Sequence, residues 1–289
     1  MVSYLRIFAL PAAQDNLNLI AMKKFIFYFC LVTLFASAPI LYSCHKNANG
    51  RNTLNLVDDA TVLSLSSQQY STFIATNPPI TGTPAALMVQ RVGSRLTSAV
   101  QTYLSGKGQA NLIDNYQWEF NLVGNSEVNA WCLPGGKIVV YTGILPLVQN
   151  DTDLAVVMGH EISHAILKHG NERMSEQLIV QYGGAALSVL LSSKPAETQQ
   201  LFNSAYGISS TLGVLAFSRK QENEADESGL YIMATAGYNP NAAIGFWERM
   251  KAQSGGSSVP AFLSTHPSDD TRIQNIKDLM PKALAYYHP

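Results

Sequence analysis

Two histidines four residues apart, with a glutamate beside the first, are the residues of this chain best suited to chemistry: His160-Glu161-Ile162-Ser163-His164. They lie in the run Asp153–Lys168, which has no proline and a single glycine, so a helix is the natural reading. On a helix, residues i and i+4 project from one face, and two imidazoles one turn apart can grip one tetrahedral zinc ion. Glu161, one position along, is wrongly directed to bind the same ion. It is placed to take a proton from an attacking water. The chemistry these residues suit is metal-assisted hydrolysis.

Two histidines alone hold zinc poorly, because a catalytic zinc takes three protein ligands and keeps a fourth place for water. The downstream stretch Ser218-Arg219-Lys220-Gln221-Glu222-Asn223-Glu224-Ala225-Asp226 supplies candidates. Glu222 and Asp226 are one turn apart on the same helical face. The reading assigns Glu222 as the third ligand and Asp226 as the acceptor for the free ring N–H of a ligand histidine. Ala225 and Gly229 are small enough to let this helix approach the first closely. Taken alone, the segment reads as a solvated acidic face, since Glu224 and Glu227 are acidic too. The histidine pair upstream reverses that preference.

The elements that must position these groups follow from periodicity and punctuation. Ala85–Leu104 fits an amphipathic helix with Leu87, Val92, Leu96 and Val100 along one face, ended by Gly106-Lys107-Gly108. Tyr116–Val123, Asn129–Leu133 and Lys137–Thr142 read as strands, with Pro134-Gly135-Gly136 turning the chain between the last two. The metal helix opens at a cap among Asn150, Asp151 and Thr152 and closes at Gly170; it is apolar nearly all round, hence buried. Two further apolar stretches, Leu178–Leu191 and Ala205–Phe217, are each too short to span a bilayer. They read as a helical hairpin packed on the core, with a lid or a membrane-dipping element as the alternative. Helices follow from about Ser218 to Ala236, from Pro240 to about Ala252, and from a cap at Ser268 to about Met280. The predicted class is α+β, mostly helical, with a small β-sheet packed beside the metal-binding helix.

The chain has 289 residues, is 47% hydrophobic and 13% charged, and carries a formal net charge of −1. That length allows one large domain with a real core. Near-neutral charge and the lack of a basic, aromatic-laced patch give no reason to expect a nucleic-acid partner. Met22-Lys23-Lys24 precedes the apolar run Phe25–Phe35, and Leu41-Tyr42-Ser43-Cys44 resembles a bacterial lipobox. The reading is a signal peptide over 22–43 with lipidation of Cys44, which would hold the protein to a membrane. Pro39 and the Ser43-Cys44 end favour processing over an uncleaved anchor across 25–42. Residues 1–21 lie upstream of a good start at Met22 and read as a mis-called extension. Residues 44–84, rich in Ser, Thr, Asn and Pro, read as a tether with one short helix near Ser66–Ala75. The domain that carries the zinc motif would then occupy 85–289. Cys132 is left without a partner and reads as a small buried residue.

His160-Glu161-x-x-His164 followed by Ser218-Arg219-x-x-Glu222-x-x-Ala225-Asp226 resembles the metallopeptidase family of CAAX prenyl endopeptidase, HtpX and BepA. The segment Asn129–Gly143 is similar to that family's strand-turn-strand, and Thr265-His266-Pro267 with Arg272 to a motif near its C-terminus. The resemblance covers about residues 85–285. It implies a gluzincin-like zinc endopeptidase with one Zn2+ per chain and polypeptide substrates, from the secreted, BepA-like branch and so facing the periplasm of a bacterial envelope. His266 is the candidate second electrophile for the oxyanion, or a fourth metal ligand that holds the enzyme idle. Asn129 and Ala130 are candidates for substrate binding. So is Arg272, which could instead orient His266. His169 is read as a helix C-terminal cation directed off the metal face. Lys137–Thr142 either adds an extended peptide at its edge or lies inside the sheet. Oligomeric state is not legible.

Overall fold

The computed structural model describes residues 22–23, 44–182, 195–206, 217–253, 260–267 and 269–288. The chain divides into Met1–His45 and Lys46–Pro289; the strand Cys44–Lys46 straddles that boundary, and the other elements described belong to the second unit. Most of the proposed signal segment lies outside the described residues. Among the described residues no helix is long and apolar enough to cross a membrane.

The segment expected to be a tether is largely built into the body. It holds β1 (Cys44–Lys46), β2 (Asn52–Leu54), the 18-residue helix α1 (Asp59–Thr76) and β3 (Pro79–Ile80). Asp58 caps α1 by accepting from the Thr61 N–H. Pro79 and Ile80, inside the segment read as tether, supply β3, a two-residue edge strand where a missing N–H costs little. Helix α2 (Pro84–Gly106) starts with proline at its first turn under a Thr83 cap. Its buried stripe runs through Val89, Val92, Leu96, Val100 and Leu104, whereas Leu87, expected on that stripe, is half exposed.

The four-stranded sheet has the order β3-β4-β6-β5, with β4 (Glu119–Val123), β5 (Ala130–Leu133) and β6 (Lys137–Tyr141). β6 pairs in parallel with β4, from Glu119↔Lys137 to Val123↔Tyr141, and antiparallel with β5. β6 is therefore interior, and the free edge beyond it belongs to β5. Both faces of the sheet are covered, which explains why β6 reads as a continuous apolar run. Ile138 and Val140 join the main core, while Val139 and Tyr141, on the opposite face, join a second cluster with Met174, Leu178, Leu201 and Phe202.

The metal-motif helix α3 (Asp151–Ile166) is capped by Asn150, whose side chain accepts from the N–H groups of Thr152 and Asp153. It ends earlier than expected. Lys168 adopts φ 59°, the one positive-φ non-glycine residue among those described, and the chain turns at once into α4 (His169–Tyr182). Gly170 sits inside α4, where an added Cβ would meet the ring of Tyr206 at 2.1 Å. After α5 (Pro195–Tyr206) comes α6 (Arg219–Thr235), opened by a reciprocal Ser218–Gln221 capping box. The remaining helices are α7 (Ala242–Gln253), α8 (Ala261–Thr265) and α9 (Asp270–Leu284), the last capped by Asp269 rather than Ser268. The apolar stretches at 178–191 and 205–217 lie partly outside the described residues. Their described ends, in α4 and α5, pack in the second cluster.

Helices α3 and α6 meet at two glycines. A Cβ on Gly159 would come within 3.2 Å of the Gly229 carbonyl oxygen, and one on Gly229 within 3.1 Å of the Gly159 backbone. A side chain at either position would crowd the facing backbone by a few tenths of an ångström, and the glycine pair brings the carboxylates of α6 up to the imidazoles of α3.

Candidate metal centre

Four side chains converge in the interior. His160 Nε2 lies 3.1 Å from His164 Nε2 and 3.5 Å from Glu222 Oε2, and His164 Nε2 lies 3.3 Å from Glu222 Oε1. His266, just beyond α8, places Nδ1 2.8 Å from Glu222 Oε1 and 3.1 Å from His160 Nε2. One donor atom from each of these four buried residues falls within 4.8 Å of all the others. The helix spacing of α3 supplies two of them, as expected; α6 supplies Glu222, as expected; the loop after α8 supplies His266.

The electrostatics suit a cation. Burial lowers the pKa of both His160 and His164, the latter far below its ordinary value, so both rings are neutral and offer lone pairs. Burial alone would raise Glu222, but the neighbouring His266 and Arg272 hold it well below the usual carboxylate range. With lone pairs on both Nε2 atoms, the two rings 3.1 Å apart and the carboxylate they face would form a group of acceptors that a cation among them relieves. Glu222 Oε2 and Glu161 Oε1 are buried with no hydrogen-bond partner. Arg272 Nη1 stands 2.9 Å from Glu222 Oε2, a charge contact without the alignment of a hydrogen bond. Two imidazoles and a carboxylate are a zinc donor set, and the residues present fit that ion.

Asp226 takes the place assigned to it: its Oδ1 lies 2.9 Å from His160 Nδ1. Arg272 does not take its place. Rather than facing a substrate, it is 4% exposed, donates to both oxygens of Asp226 at 2.8 Å, and lies over the Trp247 ring with 3.4 Å to the centroid. Its Nη1 also reaches the carbonyls of His266 and Pro267 at 3.4 and 3.3 Å. The guanidinium is thus consumed by the interior, and the part of the expectation that survives is the link to the His266 loop. His169 departs further. It is fully buried at the start of α4, with Nδ1 2.9 Å from His164 Nδ1, and burial lowers its pKa. It is therefore a neutral contact of a metal-site ring, not a cation off the face. Glu224 is no solvated acid either, since it contacts His169 Nε2 at 3.0 Å.

Glu161 stands beside the cluster. Burial raises its pKa to about 7, against the pull of His266, whose Nε2 is 3.5 Å from its Oε1. Glu161 and His266 line a cavity of about 20 Å3 together with Asn129, Ala130, Cys132, Tyr206 and Phe217. That is room for one water. Phe217 lies against the His164 ring, centroids 3.9 Å apart, and Tyr206 has a buried hydroxyl with no hydrogen-bond partner. Sequence patterning missed both of these, and Trp247 as well; an aromatic in an apolar stretch carries no mark that separates a site wall from core. β5 borders the same cavity. Asn129 accepts from the Tyr141 N–H, so the alternation of the ladder directs the N–H and C=O of Ala130 and Cys132 away from β6, to the free edge.

A small mixed sheet beside a buried helix with the H-E-x-x-H pattern, and a glutamate brought in from a second helix, define a metallopeptidase centre of the H-E-x-x-H class. The profile of Peptidase family M48 matches residues 93–280, and the chain belongs to that family. It is 36% identical over 202 residues to the mitochondrial metalloendopeptidase OMA1 of Schizosaccharomyces pombe, across 69% of this chain and 54% of that one. With the Saccharomyces cerevisiae protein of the same name it shares 32% over 215 residues, 71% of this chain and 58% of the other. The beta-barrel assembly-enhancing protease of Escherichia coli is 29% identical over 165 residues, across 56% of this chain and 34% of its own length. The chain spans a little over half the length of the two OMA1 proteins.

Proposed function

We propose that this chain is a zinc-dependent endopeptidase that cuts extended segments of misfolded or unassembled polypeptide in a bacterial cell envelope. The observation that carries the reading is the convergence of His160, His164 and Glu222 donor atoms, with Glu161 unpaired beside them. Zinc held there supplies Lewis acidity that makes water nucleophilic at neutral pH and stabilises negative charge on the scissile carbonyl oxygen. Glu161 takes the proton from the attacking water and passes it to the leaving amine; a carboxylate poised near pH 7 suits both transfers. Asp226 holds the His160 ring and Arg272 holds Asp226. The outer edge of β5 at Ala130 and Cys132, buried in this conformation and with the Ala130 N–H held by Asn129 Oδ1, receives the substrate backbone as an added strand once the cleft widens, a mode that tolerates many side chains. His266 occupies the fourth donor place in this conformation, and the one-water cavity beside it means the cleft must widen before a peptide enters. Once displaced from that place, His266 is positioned to donate to the oxyanion.

The envelope setting is supported by the lipobox-like Leu41-Tyr42-Ser43-Cys44 and by similarity to a bacterial protease named for β-barrel assembly, although the OMA1 proteins are mitochondrial. In this reading residues 22–43 are removed and Cys44 carries lipid. The alternative is a lipid-tethered chaperone using the same groove without cutting, a role that would not require Glu161. Metal analysis of the purified protein should find one zinc per chain, and casein should be cut until a chelator is added. Glu161→Gln should retain the zinc and lose roughly 10²–10⁴-fold in cleavage rate. Full cleavage by that variant would refute the general-base role, and mass spectrometry finding residues 22–43 still attached would refute lipidation.

A further inference from the structure

The two metal-site histidines are backed differently. His160 meets a carboxylate directly, while His164 meets another histidine. We propose that His169 and Glu224 are positioning residues that set the tautomer of His164, and that Arg51 from the N-terminal segment clamps them in place. This rests on the reading that His164 holds the metal.

Both Glu224 oxygens already accept hydrogen bonds, Oε1 from Arg51 Nε and Oε2 from Asn47 Nδ2, so at 3.0 Å Glu224 also accepts the hydrogen of His169 Nε2. With that hydrogen on Nε2, and with His164 turning its own Nε2 lone pair to the metal, the His169 ring presents a lone pair at Nδ1. One hydrogen must lie between His169 Nδ1 and His164 Nδ1, 2.9 Å apart, and it therefore belongs to His164. His164 is left with its lone pair on Nε2, the atom that faces His160 Nε2 and Glu222. The reverse tautomer would aim an N–H into the donor cluster and repel a cation. His169 is fully buried and among the described residues has no other hydrogen-bond partner, so neither ring nitrogen has an alternative.

The geometry that builds this relay is specific. The turn at Lys168 brings a residue five positions on from His164 back beneath it. Helix α6 supplies Glu222 to the metal, Asp226 to His160 and Glu224 to His169. Glu224 is in turn held from outside: Oε1 accepts from Arg51 Nε at 2.5 Å and Oε2 from Asn47 Nδ2 at 3.1 Å. The other face of the Arg51 guanidinium donates to Glu172, with Nη2 to Oε2 at 2.7 Å, and Gln221 donates to that same oxygen at 2.8 Å. The segment Asn47–Arg51 is thereby linked to a metal-site ring through three consecutive polar contacts.

Nitrogen-15 NMR of the imidazoles in the zinc-loaded full chain tests this directly. His169 should be neutral with its hydrogen on Nε2; a hydrogen on Nδ1 would overturn the proposal. Zinc competition against a chromophoric chelator gives the second readout. His169→Phe should weaken zinc binding roughly 10–100-fold, as loss of a ligand's orienting partner does. His169→Gln, which can still accept from His164 and donate to Glu224, should recover most of that loss. An unchanged dissociation constant in His169→Phe would also overturn the proposal. If His169→Phe fails to fold, the wild-type NMR assignment decides alone. Wild-type protein that binds no zinc would instead sink the metal reading, a distinguishable result.

Discussion

The C-terminal backing of the metal site and the N-terminal one solve the same problem in different dielectric surroundings. Behind His160, Asp226 and Arg272 are each 4% exposed at the side chain, and the guanidinium is pressed on Trp247. Behind His164, the charges come after a neutral histidine, at Glu224 and Arg51, whose side chains are 13% and 14% exposed. The interior pair must be complete, because a lone buried charge is costly. The outer pair tolerates water and salt, and inserting a neutral ring keeps its charge away from the ligand. One side of the site is thus backed by a fully buried ion pair, the other by a partly exposed pair acting through a histidine ring.

Removing Arg272 should show this asymmetry most strongly. Arg272→Met leaves Asp226 and Glu222 buried without their cation and should destabilise the metal-free protein by about 3–5 kcal/mol in urea unfolding. A loss under about 1 kcal/mol would mean the interior clamp is not what stabilises this side. Next in size is the spine common to both sides. Gly229→Ala forces α3 and α6 apart at a 3.1 Å contact, and should cost about 1–3 kcal/mol and weaken zinc binding together. If stability falls while zinc affinity stays, the carboxylates do not depend on this approach.

Arg51→Met should cost a comparable amount, about 2 kcal/mol, as charge-assisted hydrogen bonds to Glu172 and Glu224 are lost. The wild-type margin over this variant should shrink as salt is raised, whereas the Arg272→Met deficit should not. A further comparison is in pH. Burial would raise the Glu224 carboxyl, but hydrogen bonds from His169 and Arg51 bring it down to about 2 from an ordinary 4.5. A depressed folded-state pKa contributes stability that is present above about pH 4.5 and is lost as pH falls towards 2. Denaturant midpoints measured across that window should converge for wild type and Glu224→Gln; a constant gap would show that Glu224 is not held by its partners.

The parts of the site legible in advance are those governed by helix geometry. His160 and His164 share a face because they are four residues apart. Glu222 and Asp226 do so for the same reason, and the small Gly229 marked the close approach of their helix. The parts that were not legible depend on partners distant in the chain. Lys137–Tyr141 cannot be identified as an interior strand until Glu119–Val123 is seen to pair with it. Arg272 has the appearance of a helix-face cation until Trp247 and Asp226 enclose it. His169 is removed from its expected direction by the positive φ of a lysine, a residue type that gives no such signal. The tether expectation for 44–84 weighed Ser, Thr and Pro content and could not see that Asn47 and Arg51 both meet Glu224 and that Arg51 also meets the buried Glu172.

Sequence by itself determined which atoms can bind a cation and which carboxylate stands beside them, because a helix repeats every 3.6 residues whatever surrounds it. Tertiary structure decided what lies behind each ligand ring, which strand edge is free and how much space remains at the centre. Those depend on where segments far apart in the chain come to rest, and on the low dielectric there, which penalises any polar atom left without a partner.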